Sequence, residues 1–409
     1  MYAKFVRSFA MYGGGNNDSK MEPSTYYQIQ ASRKSRTLFP NLIEIYCHGR
    51  WEEVYFLLSP SLRQVVILDN QNSRSFSSSI STFVNTLSKI CPDIQSLEVY
   101  VDISISALRS VQKLQKLQYL GLNLLGAQAD DEHITGLSLL PNLRILKFST
   151  PRWWEPLRWK SLPIFKSPES FCALQQLDFF ASLGRIVNNL PSFISPNLTS
   201  FNAEIIDAWA EEDCTIPAER LCHQLCDILA KHPRSPLSSL RTLSFISRTS
   251  DFLPTEAFQL LLTLGGLETL VFDRLLYIFD DSTLIKWANA WSNLKTFEVT
   301  SRKHFVTLHG VVTLLQLCRD LKYLTLSFDA SKLDLIPEIP TTPCLRHGLK
   351  NWDISVSQVT PDTLGPVMAV LNWVFLDMRH VKSRRWQIGP SASELLPQSL
   401  ERIAAEVHQ

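Results

Sequence analysis

The chain has 409 residues, 45% of them hydrophobic, and 40 basic against 39 acidic side chains give a formal net charge of +1. That apolar content excludes a disordered chain, and near-neutrality excludes a strongly basic nucleic-acid binder or a strongly acidic solvating chain. Only 14 glycines beside 22 prolines argue against glycine-rich phosphate cradles, and the length alone suggests two or three units of about 100–200 residues each.

Residues 1–37 are expected to form an N-terminal tail or linker. Lys4 and Arg7 interrupt the few apolar residues at its start, so no signal-peptide core is expected. The eight cysteines are too thinly scattered for a secreted disulfide scaffold and read as reduced thiols. The most apolar stretches, Phe305–Cys318 and Thr363–Leu376, are too short to span a bilayer. A soluble chain of the cytosol or nucleus is expected.

From residue 38 onward one short unit recurs: an apolar residue, two variable ones, an apolar residue, one variable, and a last apolar residue. In chain order it appears as Leu42/Ile45/Cys47, Leu62/Val65/Ile67, Ile94/Leu97/Val99, Leu117/Leu120/Leu122, Leu143/Leu146/Phe148 and Leu174/Leu177/Phe179. It continues as Leu198/Phe201/Ala203, Leu240/Leu243/Phe245, Leu267/Leu270/Phe272, Leu294/Phe297/Val299, Leu321/Leu324/Leu326 and Leu349/Trp352/Ile354. A terminal copy follows at Leu400/Ile403/Ala405, and a degenerate one fits Leu371/Val374/Leu376. Between Leu240 and Leu349 the steps are 27, 27, 27 and 28 residues, whereas the steps before Leu240 range from 20 to 42. Such a period marks a stacked repeat rather than several independent domains.

The residues ahead of the units account for the period. Ala218–Lys231, Thr255–Leu264, Ser282–Ala290 and Leu308–Cys318 carry apolar residues at helical spacing, and Asp281-Ser282 and Pro254-Thr255 supply helix starts. Each repeat is therefore predicted as a helix, a tight turn and a strand of about five residues. The turn often contains Pro-Asn-Leu, as at Pro40-Asn41-Leu42, Pro141-Asn142-Leu143 and Pro196-Asn197-Leu198.

This pattern resembles the leucine-rich repeat, in its long variety with a convex helix. The resemblance implies an α/β solenoid over 38–409, a horseshoe with a parallel concave sheet and about 12–13 irregular repeats. The irregular steps, Pro-Asn-Leu turns and Trp and Phe substitutions are similar to fungal F-box/leucine-rich-repeat proteins. That likeness implies the substrate-recognition part of a ubiquitin ligase receptor. It departs from the family in one respect: no F-box is found, residues 1–37 being too short to hold one, so adaptor binding is expected only if an F-box exists upstream. The alternatives are a free-standing scaffold or inhibitor and a GTPase-activating type of regulator.

If the chain folds this way, the variable residues beside the second and third apolar positions line the concave face. Among those positions are Glu44, Glu98, Asp178, Glu204, Asp273, Glu298 and Asp353, against Lys147 and His48, with Tyr100, Tyr119 and Tyr323 between them. An acidic, tyrosine-studded partner-binding face follows, suited to a protein with a basic patch; the bland alternative is an ordinary polar sheet surface. Two insertions after strands, 151–170 and 205–217, bring Trp153, Trp154, Trp159 and Trp209 to one rim as a second candidate partner site; the alternative is shielding of the solenoid edge.

No enzyme motif emerges, and no cofactor, nucleic-acid or membrane partner is expected. Cys214, Cys222, His223, Cys226 and His232 lie close together, yet Cys222, Leu225, Cys226 and Leu229 form one apolar stripe, so a core role is favoured over zinc. Gly13-Gly14-Gly15 lacks a dinucleotide fingerprint, and Asp280-Asp281 reads as helix capping rather than paired catalytic carboxylates. The basic groups Arg33-Lys34-Arg36 and Arg379, Lys382, Arg384, Arg385 read as solvated tail and loop.

Overall fold

The computed structural model describes residues 5–12, 37–48, 54–55, 57–68, 77–100, 105–123, 136–149, 170–206, 217–231, 239–248, 255–331, 349–354, 357–359, 361–374 and 381–382. The chain divides into two compact units, Met1–Leu198 and Thr199–Gln409.

The first unit holds strands β1 (Ser8–Tyr12), β2 (Glu44–His48), β3 (Gln64–Leu68), β4 (Ser96–Tyr100), β5 (Tyr119–Asn123), β6 (Ile145–Ser149) and β7 (Gln176–Ala181). They lie in sequence order and every neighbouring pair is parallel. Residues 8–12, which the sequence places in a tail, thus form a rung beside β2. Register puts Ile45, Val65, Leu97, Leu120, Leu146 and Leu177 in one row, and Cys47, Ile67, Val99, Leu122, Phe148 and Phe179 in the next. Both rows are buried, as is the row of first apolar residues, Leu42 to Leu174. The helix Ser77–Ile90 presents Ile80, Phe83, Val84 and Leu87 to the interior at helical spacing.

Strands β2 to β7 are each entered through a tight turn in which the first apolar residue's N–H donates three residues back, as in Leu117 to Leu114 at 3.0 Å and Leu174 to Phe171 at 3.0 Å. Asparagine in the Pro-Asn-Leu turns reaches the preceding turn: Asn142 donates to the Gln115 carbonyl at 2.9 Å and Asn197 to that of Cys172 at 2.7 Å. Where Asp93 stands in that place, it pairs with Lys116 at 2.7 Å. Either device ties one rung's turn to the next.

The second unit repeats the plan with β8 (Ser200–Ile205), β9 (Thr242–Ser247), β10 (Thr269–Asp280), β11 (Thr296–Phe305), β12 (Tyr323–Leu326), β14 (Asn351–Asp353) and β16 (Val381–Lys382), again parallel neighbour by neighbour. Parallel strands in chain order, each reached through a crossover and sharing one buried repeat pattern, make this a leucine-rich-repeat solenoid architecture. Phe245 and Phe272 stack at 5.5 Å, and Phe272 meets Trp287 edge-on at 5.3 Å. Large rings replace leucine here without leaving the register.

Three features depart from the expected unit. Residues Thr255–Thr263 form a 3-10 helix, not an α-helix. Thr255, Phe258, Leu261 and Leu264 are buried at a spacing of three, which the tighter helix brings onto one face. Second, β10 and β11 run far beyond five residues and pair again from Leu276↔Ser301 to Asp280↔Phe305 after a register shift. The shift occurs at Arg274, whose φ of 56° is left-handed. A bridge Thr307↔Asp329 and the pair β13 (Asp329–Ala330) with β15 (Gln358–Val359) complete a second tier of parallel pairing. Third, Leu371 and Val374 belong to the helix Pro361–Val374 rather than to a degenerate strand; Pro361 fits a first helical position, where its missing N–H has no intrahelical partner to lose. The terminal copy at Leu400 lies outside the described residues.

Candidate interaction faces

Because side chains alternate across a strand, residues between the buried rows point to the opposite face, where Val66 and Ser244 are themselves buried. In the first unit, register aligns Tyr46, Val66, Glu98, Gly121, Lys147 and Asp178 in one outward row. Tyr119 and Gln176 stand in the row before it, and Tyr100 in the row after. The expected residues Glu98, Tyr100, Tyr119 and Asp178 therefore share one patch. Tyr100 donates to Glu98 Oε2 at 3.1 Å, and the Tyr119 phenol stands within hydrogen-bonding reach of Glu98 and of Tyr100. Burial, followed by the Glu98 charge, pushes both phenols well above their ordinary value, so both stay neutral donors in the physiological range.

On the other side of Tyr119, Lys147 Nζ lies 5.3 Å from the ring centroid and 3.4 Å from Asp178 Oδ2. Gln176 Nε2 donates to both Asp178 oxygens, at 3.1 and 3.0 Å. Gly121 makes this convergence possible: a Cβ there would stand 3.3 Å from Glu98 Cγ and 3.3 Å from the Tyr100 hydroxyl. Gly121 and Gln176 carry no motif; only their register marks them.

In the second unit the outward row runs Asn202, Ser244, Val271, Glu298, Thr325, Asp353. Glu298 is half-buried, and burial first, then the Asp273 and Asp353 charges, raise its carboxyl above the ordinary range. Asp273 accepts from Thr300 Oγ1 at 2.6 Å, and Arg274, beside it in sequence, reaches only 4.0 Å. Glu204, by contrast, is ion-paired with Arg248, a residue just past β9 that the repeat pattern gives no reason to single out. Tyr323 is 45% exposed on β12. Asn351, its register partner on β14, has a buried Oδ1 without a hydrogen-bond partner among the described residues.

The face is thus less uniformly acidic than its composition suggests. Asp178 and Glu204 have their own cations, and apolar Val66, Leu68 and Ile145 interrupt the polar rows of the first unit. Among the described residues, no lysine or arginine is paired with Glu98 in the first unit or with Glu298 in the second. Trp153, Trp154, Trp159 and Trp209 lie outside the described residues.

Cys222 and Cys226 sit within the buried stripe of the helix Ala218–Lys231 together with Leu225 and Leu229. Cys91 is pushed up to about 11 and Cys318 to about 12 by burial, and Cys222 is also raised, so these thiols stay protonated at neutral pH and are poor nucleophiles. Among the described residues, no group of three or more His, Cys, Asp or Glu is placed to hold a metal, and no helix is long and apolar enough to cross a membrane. Asp280 caps the helix Asp281–Ala290 by accepting from Thr283 N at 2.9 Å, as the acidic doublet suggests.

No family model matches the chain, and no curated protein matches it. Among solved structures it is similar to an internalin (inlF) from Listeria monocytogenes at 16% identity, covering 71% of this chain and 69% of that one with a TM-score of 0.36. A leucine-rich-repeat protein of Leptospira interrogans matches at 12% identity over 90% of each chain, with a TM-score of 0.31. The leucine-rich repeat domain of APL1B matches at 13% identity over 92% of this chain and 94% of that one, with a TM-score of 0.33. The fold assignment rests on the strand register and the buried rows of the chain itself.

Proposed function

We propose that this chain is a non-enzymatic protein-binding module whose outward strand rows hold a partner with a basic patch. The observation that carries this reading is Glu298, a half-buried carboxylate kept between Asp273 and Asp353, whose charges oppose its ionisation. A cation brought by a partner relieves that repulsion. Association is accordingly steered by charge and weakened by salt.

The test is affinity capture at low and high salt with the native chain and with D273N/E298Q/D353N. Basic partners retained by the native chain at low salt should be lost from the triple variant; an unchanged set of captured proteins would sink the reading.

The resemblance to fungal F-box/leucine-rich-repeat proteins extends this reading to the substrate-holding part of a ubiquitin ligase receptor working in the cytosol or nucleus. Tyr100, Tyr119 and Tyr323 would then contact the substrate together with the acidic residues. Co-purification of the ligase adaptor with the full-length gene product separates this role from that of a free-standing scaffold.

A further inference from the structure

The first unit contains a carboxylate that its neighbours orient but do not neutralise. Glu98 accepts from the Tyr100 phenol and lies beside that of Tyr119, and no lysine or arginine pairs with it among the described residues. Among the described residues the nearby cation is Lys147, which is drawn to Asp178 at 3.4 Å and rests over the Tyr119 ring. Two carboxylates against one ammonium leave the patch with one negative charge. That charge sits on a partly buried group, where a missing counter-ion matters more than in open solvent.

We propose that Glu98 is the seat for a single arginine side chain of the protein partner, with Tyr100 and Tyr119 as walls and Gly121 as floor. The inference rests on the basic-partner reading above and adds the anchoring group and its place. A guanidinium matches the site because it is planar and charged, donates two parallel hydrogen bonds to a carboxylate and stacks on aromatic rings. Lys147 over Tyr119 shows that a ring of this patch already accepts a cation at 5.3 Å. Tyr100 spends its single proton on the carboxylate and orients it beside the Tyr119 phenol, so less ordering remains to be done when the guanidinium arrives. Gly121 keeps the space free, since a methyl group in its place would press on Glu98 Cγ and on the Tyr100 hydroxyl, each at 3.3 Å.

The probe is a fluorescent hexa-arginine peptide, with hexa-citrulline as its uncharged isostere, read by anisotropy. The chain used is full-length D273N/E298Q/D353N, in which the second unit's acids are neutralised. This variant should still bind hexa-arginine and ignore hexa-citrulline. Adding Glu98→Gln should weaken binding about tenfold or more, as expected for a lost charge-assisted contact. Tyr100→Phe, which keeps the charge and loses one orienting bond, should weaken it less. A thermal melt of each variant separates lost binding from lost folding. Absence of hexa-arginine binding by the triple variant, or equal binding with and without Glu98→Gln, overturns the arginine seat. Salt-sensitive capture that depends on Asp273, Glu298 and Asp353 would survive either result, so the broader reading stands or falls separately.

Discussion

Gly310 shows how a single missing methyl group fixes a joint between repeats. Asp281, at the start of one helix, reaches the start of the next: it accepts from Thr307 N and from Thr307 Oγ1, each at 2.7 Å. Thr307 in turn caps the helix Leu308–Leu317 by accepting from Gly310 N at 3.3 Å. A Cβ on Gly310 would overlap the Asp281 carboxylate. Gly310→Ala should therefore destabilise the fold by about 1–3 kcal/mol through overpacking. In an Asp281→Ala background the same change should be neutral or stabilising by up to about 1 kcal/mol, because alanine is the better helix former once the carboxylate is gone. Urea denaturation of the four chains of this double-mutant cycle tests the assignment, and an unchanged cost in both backgrounds would refute it. The sequence showed an acidic doublet at a helix start but gave no sign that its second member serves the following repeat. That role depends on a distance across 26 residues, not on local spacing.

At the scale of elements, the strands were legible because their inward positions must be apolar in every copy. Leu270, Phe297 and Leu324 occupy one register row and are all buried. Leu270→Ala should cost about 2–5 kcal/mol, the usual range for a large-to-small change in a packed core. Leu270→Asp should do more, because a lone carboxylate in that row finds no partner. The denaturation midpoint reads the first; proteolytic nicking near the 240–300 region reads the second, and resistance equal to the native chain would contradict it. The helical elements were legible in place but not always in type. The segment from Thr255 shows its apolar residues at a spacing of three, compatible with one α-helical face over so short a run, and tertiary packing selects the tighter form. The second pairing tier was not legible, since backbone ladders need no side-chain pattern and the register shift at Arg274 hides the relation between the two strands. The acidic rows were visible in the sequence, whereas their internal counter-ions were not: Arg248 lies 44 residues from Glu204.

For the molecule as a whole, the shifted carboxylates act in opposite senses. Glu298 has a folded value above its ordinary 4.5, so the fold favours its protonated form. Its contribution is favourable below 4.5 and is lost as pH rises through the elevated value. Three other carboxylates are lowered: Asp93 by Lys116, Glu268 by Lys295, and Asp280 because hydrogen bonds from Thr283 and Ser282 outweigh its burial. Their stabilisation is present above the ordinary range and is lost as pH falls through the lowered values. Glu298→Gln should therefore raise the denaturation midpoint at neutral pH, and this gain should close as the solution is acidified below 4.5. A gain equal at both pH values would mean that ionisation of Glu298 is not its source.

The double ladder of β10 and β11 bears on how such a chain tolerates change in length. Where neighbouring repeats are joined only along one row of strands, an insertion after the strand leaves that row intact and simply lengthens a crossover. Where they are joined at two heights, an insertion between the two levels must displace one ladder against the other. The second tier runs from Leu276 to Val359, and the steps from Leu267 to Leu349 that fall within it are 27, 27 and 28 residues, against 20 to 42 before Leu240. In this stretch the length of a repeat is therefore tied to two ladders at once, and an insertion between them would have to slide one against the other.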